Sequence, residues 1–147
     1  MVNTPGVKLT MTSFAEEFSA THHQLSDVRR RVGAWMRGQG HDDAPILVGD
    51  VEMVITELAA NVVDHTGSPW IRVAVELPGD RVTIEVSHQG SAHGVPAVEE
   101  WGELLEGTRG RGLRIVRALC NTIVVTGDVN RTHVRCDVPL SAAEQAL

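Results

Sequence analysis

Residues 45–65 carry Val51, Val54, Ile55, Leu58 and Val62 at helical spacing, with Glu57, Asn61 and Asp64 along one edge of that apolar stripe. Pro45 sits where a first turn tolerates proline and Gly67 stands past the end, so the spacing predicts one helix from Pro45 to His65. That apolar stripe is the core face of the helix. A hairpin follows it. Ile71, Val73, Val75 and Leu77 alternate with polar partners, Pro78-Gly79-Asp80 makes a turn, and Val82, Ile84 and Val86 resume the alternation. This predicts a β-hairpin with His88 on its apolar side.

The flanking segments extend the same plan. Beyond a tail at residues 1–6, Val7 to Ser13 reads as an edge strand, with Phe14 and Phe18 in its continuation. Leu25, Val28, Val32, Trp35 and Met36 predict a first helix capped by Ser26 and stopped at Gly38 and Gly40, with Arg29, Arg30 and Arg31 mostly on its outer face. Gln89 to Pro96 is a long connection into a short helix around Ala97 to Glu106. A third helix is expected from Gly110 to about Asn121, with Arg111, Arg114 and Arg117 facing outward. Strands at Thr122 to Thr126 and Thr132 to Leu140 follow, the latter placing Thr132, Val134, Cys136 and Val138 on one face, and residues 141–147 form a tail.

Composition bounds the function. With 147 residues and 42% hydrophobic content, one domain at residues 7–140 is expected. A net charge of −6 argues against direct nucleic-acid binding, and with two Phe, three Trp and no Tyr the sequence is not expected to present aromatic stacking platforms for bases. Lys8 is the only lysine, so any anion site must be built from arginine, which suits phosphate. Cys120 and Cys136 are compatible with free thiols in a reducing cytoplasm, and no apolar run reaches membrane-spanning length. A cytoplasmic protein without a membrane partner is expected.

Two segments carry chemistry. Glu57 and Asn61 lie one turn apart on the same helix face, where the amide oxygen is an acceptable Mg²⁺ ligand and the carboxylate a proton acceptor. In the run Gly107-Thr-Arg-Gly-Arg-Gly-Leu-Arg-Ile-Val116, glycines free the backbone ahead of a helix whose unpaired N–H groups can receive an anion, and Arg109 and Arg111 add charge. Each segment has a bland reading: an amphipathic helix with polar residues on its edge, and a loop ending in an ordinary helix start. The glycine run is not a dinucleotide fingerprint, and His88 with His93 or Cys120 lacks zinc-ligand spacing.

In combination the segments resemble a known family. Glu57-Leu-Ala-Ala-Asn61-Val-Val-Asp-His65 resembles the N box of the GHKL nucleotide-binding superfamily, and Gly110-Arg-Gly-Leu-Arg-Ile-Val116 resembles its later glycine box. Their order and spacing, with a first helix at Leu25 to Trp35, are most similar to the small bacterial anti-sigma factor serine kinases of the RsbW and SpoIIAB type, over Phe14 to Leu140. The resemblance implies a Bergerat-type α/β fold, a two-layer sandwich of a mixed, mainly antiparallel sheet packed on helices, with ATP between them under a lid at Gln89 to Arg109. It implies Glu57 as catalytic carboxylate and Asn61 as Mg²⁺ ligand, with His65 at the family's usual histidine position. It further implies Arg109, Gly110, Arg111, Gly112 and Leu113 on the phosphate side, and Thr132 near the adenine.

The implied partners are a sigma factor and a serine-bearing, STAS-type anti-anti-sigma protein, with a homodimer possible. One position departs from the pattern. The family's first glycine box reads Asp-x-Gly, its carboxylate accepting from the adenine amino group, whereas this chain reads His88-Gln89-Gly90. A neutral imidazole keeps one acceptor nitrogen and an imidazolium keeps none, so the alternative expectation is a catalytically inactive binding module that has lost its nucleotide. The catalytic domain of a histidine kinase fits less well, for want of a helical hairpin bearing a phospho-acceptor histidine ahead of the domain; His22 and His23 sit only at a helix entrance.

Overall fold

A computed structural model describes residues 7–9, 12–41, 44–91, 98 and 107–140; the expected tails, most of the expected lid and the helix expected around 97–106 lie outside the described residues. The elements run β1 (Val7–Leu9), β2 (Ser13–Ser19), α1 (His22–Met36), α2 (Pro45–His65), β3 (Trp70–Glu76), β4 (Arg81–Gln89), α3 (Gly107–Leu119), β5 (Thr122–Gly127) and β6 (Arg131–Pro139). The six strands form one sheet in the order β1-β2-β3-β4-β6-β5. The expected mixed, mainly antiparallel sheet is antiparallel at every pairing among these strands.

Period two decides which side chains meet the helices. Phe14 pairs with Val75, Val75 with Ile84, Ile84 with Cys136, and Cys136 with Ile123, so apolar residues line up in a row across the sheet. A neighbouring row runs through Val73, Val86, Val134 and Val125. Val28, Val32, Val51, Val54, Ile55, Ala59 and Val116 close over this face, each with 0% exposure. The opposite face carries polar residues tied to one another, as where Thr83 donates to Asp137 and Arg131 stacks over Trp70. This is an α/β two-layer arrangement with one apolar and one polar sheet face.

Element by element, α2 has the bounds its periodicity predicts, with Pro45 at the first turn. Three expectations are corrected. The N-terminal strand is two strands, β1 pairing antiparallel with β2, because Val7–Leu9 folds back on Phe14–Glu16. Helix α1 starts at His22, since Thr21 caps it by accepting from the Gln24 amide at 3.1 Å, leaving Ser26 inside the helix. It ends in a widened turn at Arg37–His41, where Gly40 adopts φ +92°. Helix α3 begins three residues before Gly110 and stops at Leu119.

One buried charge pair joins the layers. Glu16 lies on the inner face of β2, only 6% exposed, and accepts from Arg31 Nε at 2.8 Å and Nη2 at 2.5 Å. The bidentate geometry compensates the desolvation of the carboxylate and raises the Arg31 pKa. Arg31 is therefore a tie between helix and sheet rather than part of a solvated arginine face. Helices α1 and α2 approach closely at Gly33, where a Cβ would lie 3.1 Å from Glu52 Cδ.

Candidate functional site

Helices α2 and α3 meet at Glu57 and Gly112. A Cβ built on Gly112 would collide with Glu57 Oε2 and lie 3.2 Å from its Cδ, so the carboxylate fills the space that the missing side chain leaves. The two segments that sequence reasoning singled out thus touch. Burial pushes the Glu57 carboxyl above its ordinary value, because part of its hydration is replaced by protein. A carboxylate with a raised pKa is a better proton acceptor, the property a general base needs.

The glycine run sits differently from expectation. Gly110 and Gly112 lie inside α3 rather than ahead of it. The helix entrance, whose first four amides have no intrahelical acceptor, consequently falls on residues 107–110. The positive end of the helix still faces the segment that precedes it, and its backbone there is what the anion reading requires. Leu113 is 2% exposed and its side chain belongs to the core, so only its backbone is available to a ligand. The side chains of Arg109 and Arg111 lie outside the described residues, whereas Arg114 and Arg117 are exposed.

One turn beyond Glu57, Asn61 is half-buried on the same helix, and His65 is exposed in the last turn. Asp64 is drawn out of the polar stripe: its Oδ1 accepts from His22 Nε2 at 2.8 Å, which ties the end of α2 to the start of α1. Past the helix, Gly67 takes φ +69° and turns the chain into β3. Buried Ser68 donates its hydroxyl to the Trp70 carbonyl at 2.6 Å and accepts from the Gln89 amide at 3.0 Å. The end of α2 is thereby fixed to the end of β4.

At that end of β4, His88 is 3% exposed on the inner face, as the hairpin alternation predicts. Its Nδ1 lies 2.8 Å from the Gln89 carbonyl oxygen. Gly90 follows at φ +103°, a conformation that favours glycine, and its amide donates to the Asn130 carbonyl at 2.8 Å. Thr132, fully buried opposite His88 on β6, donates its hydroxyl to the Gly90 carbonyl at 2.7 Å. The expected site residues therefore form two clusters: Glu57 with Gly112 on the helices, and His88, Gly90 and Thr132 at the strand ends.

Helix α2 links them. From Glu57 to His65 its axis advances about 12 Å, which sets the length of helix between the two clusters. Sequence reasoning missed Ser68 and the Asp64–His22 contact. Ser68 had no periodic signal, since it lies in the irregular stretch Thr66-Gly-Ser-Pro69.

Comparison with known proteins bears on this arrangement. No curated protein matched the chain. A family model described as the histidine kinase-like ATPase domain matches residues 18–137, a span that runs from β2 to β6 and takes in both clusters. With the match covering most of the chain and the sheet-on-helices architecture agreeing with it, the chain belongs to the histidine kinase-like ATPase family, a GHKL-type ATP-binding domain.

Proposed function

We propose that this chain is a Mg-ATP-dependent protein serine kinase of the anti-sigma factor type, phosphorylating a STAS-type anti-anti-sigma protein and sequestering a sigma factor by direct binding in the cytoplasm, with self-association as a homodimer. The observation that carries the catalytic part is the packing of the Glu57 carboxylate into the space above Gly112. It sets a partly desolvated carboxylate beside the first turns of α3. The donor set suits the ligand: the Asn61 amide oxygen is a hard oxygen ligand for Mg²⁺, and the first-turn amides of α3 with Arg109 and Arg111 would hold phosphate.

When bound, Mg-ATP supplies the transferable phosphoryl group and neutralises charge developing on it. Glu57 accepts the proton of the partner's serine hydroxyl as that oxygen attacks, and burial raises the affinity of the carboxylate for that proton. Ser68 fixes the end of β4 to the end of α2, and Thr132 ties β6 to the turn that follows β4. The test is incubation with STAS-domain proteins and γ-labelled ATP, read as phosphoserine by mass spectrometry. Transfer that is lost in Glu57→Gln supports the kinase. ATP binding with no STAS protein labelled removes the kinase and leaves an ATP-binding regulator.

A second reading, a binding module without nucleotide, is favoured by one observation: a buried imidazole stands at position 88, where the resembled family carries a carboxylate. Titration with Mg-ATP separates the two, since a ligand that binds only the folded state raises the thermal midpoint with its concentration.

A further inference from the structure

Antiparallel pairing turns the N–H and C=O of alternate residues toward one neighbouring strand and those of the residues between them the other way. On β6 the phase is fixed at both ends. The Leu140 amide donates to the Asp80 carbonyl at 3.4 Å and the Asn130 carbonyl accepts from the Gly90 amide at 2.8 Å, so the even-numbered residues of β6 bond to β4. Its odd-numbered residues bond to β5: the Arg131 carbonyl accepts from the Asp128 amide and the Asp137 carbonyl from the Asn121 amide, both at 3.0 Å. In that register Thr122, Val124 and Thr126 direct their backbone groups at Asp137, Arg135 and His133. Those of Ile123 and Val125 point away from β6, out of the edge of the sheet that β5 forms.

The make-up of this edge favours a further strand. β5 runs six residues with no charge and no proline, the usual devices that blunt an edge, whereas β1 at the opposite edge is only three residues long. Val124 is 45% exposed on the outer face, and Ile123 and Val125 are only partly buried on the inner face. Among the described residues, β6 is the only strand paired with β5.

Symmetry decides which strand fits. Thr122-Ile-Val-Val-Thr126 reads nearly the same in both directions about Val124. Laid antiparallel on a second copy with Val124 against Val124, it sets Ile123 opposite Val125 and Thr122 opposite Thr126, so each side chain meets its own kind. Ile123 and Val125 are also the residues whose backbone groups point outward, so the register that matches the side chains closes doubly hydrogen-bonded pairs on both sides of the axis. A slip by one residue would set outward groups against inward ones.

We infer that the β5 edge is the self-association surface of this chain: two copies pair β5 with β5 about a two-fold axis at Val124, joining two six-stranded sheets into one. This gives the homodimer proposed above its interface, and it does not depend on nucleotide.

The experiment is sedimentation equilibrium of the intact protein without nucleotide over about 1–300 µM, because an edge this short buries less than a standard interface and should associate in the micromolar range. The wild type is expected to pass from monomer to dimer; a monomer throughout overturns the inference. Val124→Lys sets like charges opposite one another at the axis, each beside Arg135 of its own chain, and should weaken the dimer at least about fivefold. Mixing it with Val124→Glu should restore a one-to-one dimer through a cross-strand Lys–Glu pair, and a mixture that stays monomeric contradicts the register. Val125→Pro removes an outward N–H and no bond to β6, so it should be folded and monomeric. Either Val124→Lys or Val125→Pro dimerising like the wild type refutes the β5 interface while leaving self-association through another surface standing. Amide hydrogen exchange of the wild type needs no variant: Ile123 and Val125 should exchange fast in dilute protein and become protected as the dimer forms. Amides at 123 and 125 that stay unprotected in the dimer contradict the proposal.

Discussion

Replacing Gly112 with alanine separates the catalytic role proposed for Glu57 from what the helix contact does for stability. The new methyl would collide with the Glu57 carboxylate oxygen, yet it lies 3.6 Å from Glu57 Cβ, so only the far end of that side chain has to move. Rotating it away costs about 0.5–1.5 kcal/mol in rotamer energy. Alanine in place of a helical glycine returns up to about 1 kcal/mol, and the displaced carboxylate regains water that burial had removed. The two terms nearly cancel, so the melting temperature should shift by no more than about 3–4 °C. Phosphotransfer should fall about 100-fold or more, as expected when a general base leaves its position. The assay is a double-mutant cycle with Glu57→Ala on transfer rate and thermal midpoint. If Gly112→Ala acts through Glu57, adding it to Glu57→Ala should cost no further activity. Full transfer in Gly112→Ala, or additive losses in the double variant, would refute the reasoning.

Three further outcomes are expected. Because burial raises the Glu57 carboxyl above its ordinary value of 4.5, the folded state binds more protons than the unfolded one in the window between the two. Stability from this group is therefore full below about pH 4.5 and is lost as pH rises through the folded value. Denaturant melts across pH should show Glu57→Gln gaining on the wild type over that window, and the transfer rate should rise with pH in the same range as the base ionises. Arg31→Ala, which strands the buried Glu16 carboxylate, should cost about 3 kcal/mol in urea unfolding; Glu16→Leu with Arg31→Leu should recover much of it, and a neutral single variant contradicts the pairing. Thr21→Ala removes the cap of α1 and should cost about 1 kcal/mol, measured the same way.

How much of this was legible in the sequence follows from which interactions set each element. Helix α2 and the β3–β4 hairpin are dictated locally, by an apolar period and by Pro and Gly at their ends, and their bounds agree with the periodicity. The inward side of His88 and Thr132 follows from period two alone. The start of α1 was misplaced because Thr21 and Ser26 are both competent caps, and the choice between them depends on where β2 delivers the chain. The Glu16–Arg31 pair was invisible because it joins residues fifteen apart through the packing of a helix on a strand.

For the site, residue types at fixed spacing on one helix marked Glu57 and Asn61. No sequence pattern states that the Glu57 carboxylate rests on Gly112, which depends on the close approach of α2 and α3. Glycine at 112 reads as backbone freedom in the sequence and acts as empty volume in the structure. The entrance of α3 was misplaced for a related reason: glycine is a poor helix former, so Gly107 and Gly110 suggested a loop where tertiary packing sustains a helix.

The most direct test of the central claim, that α2 and the first turns of α3 together hold Mg-ATP, is thermal unfolding of the wild type and Asn61→Ala against increasing Mg-ATP. The wild type should gain stability logarithmically with ligand once the dissociation constant is passed, while Asn61→Ala should start from a similar midpoint and gain much less. A wild-type midpoint that stays flat to millimolar Mg-ATP, or an Asn61→Ala protein that follows the wild-type curve, would contradict it.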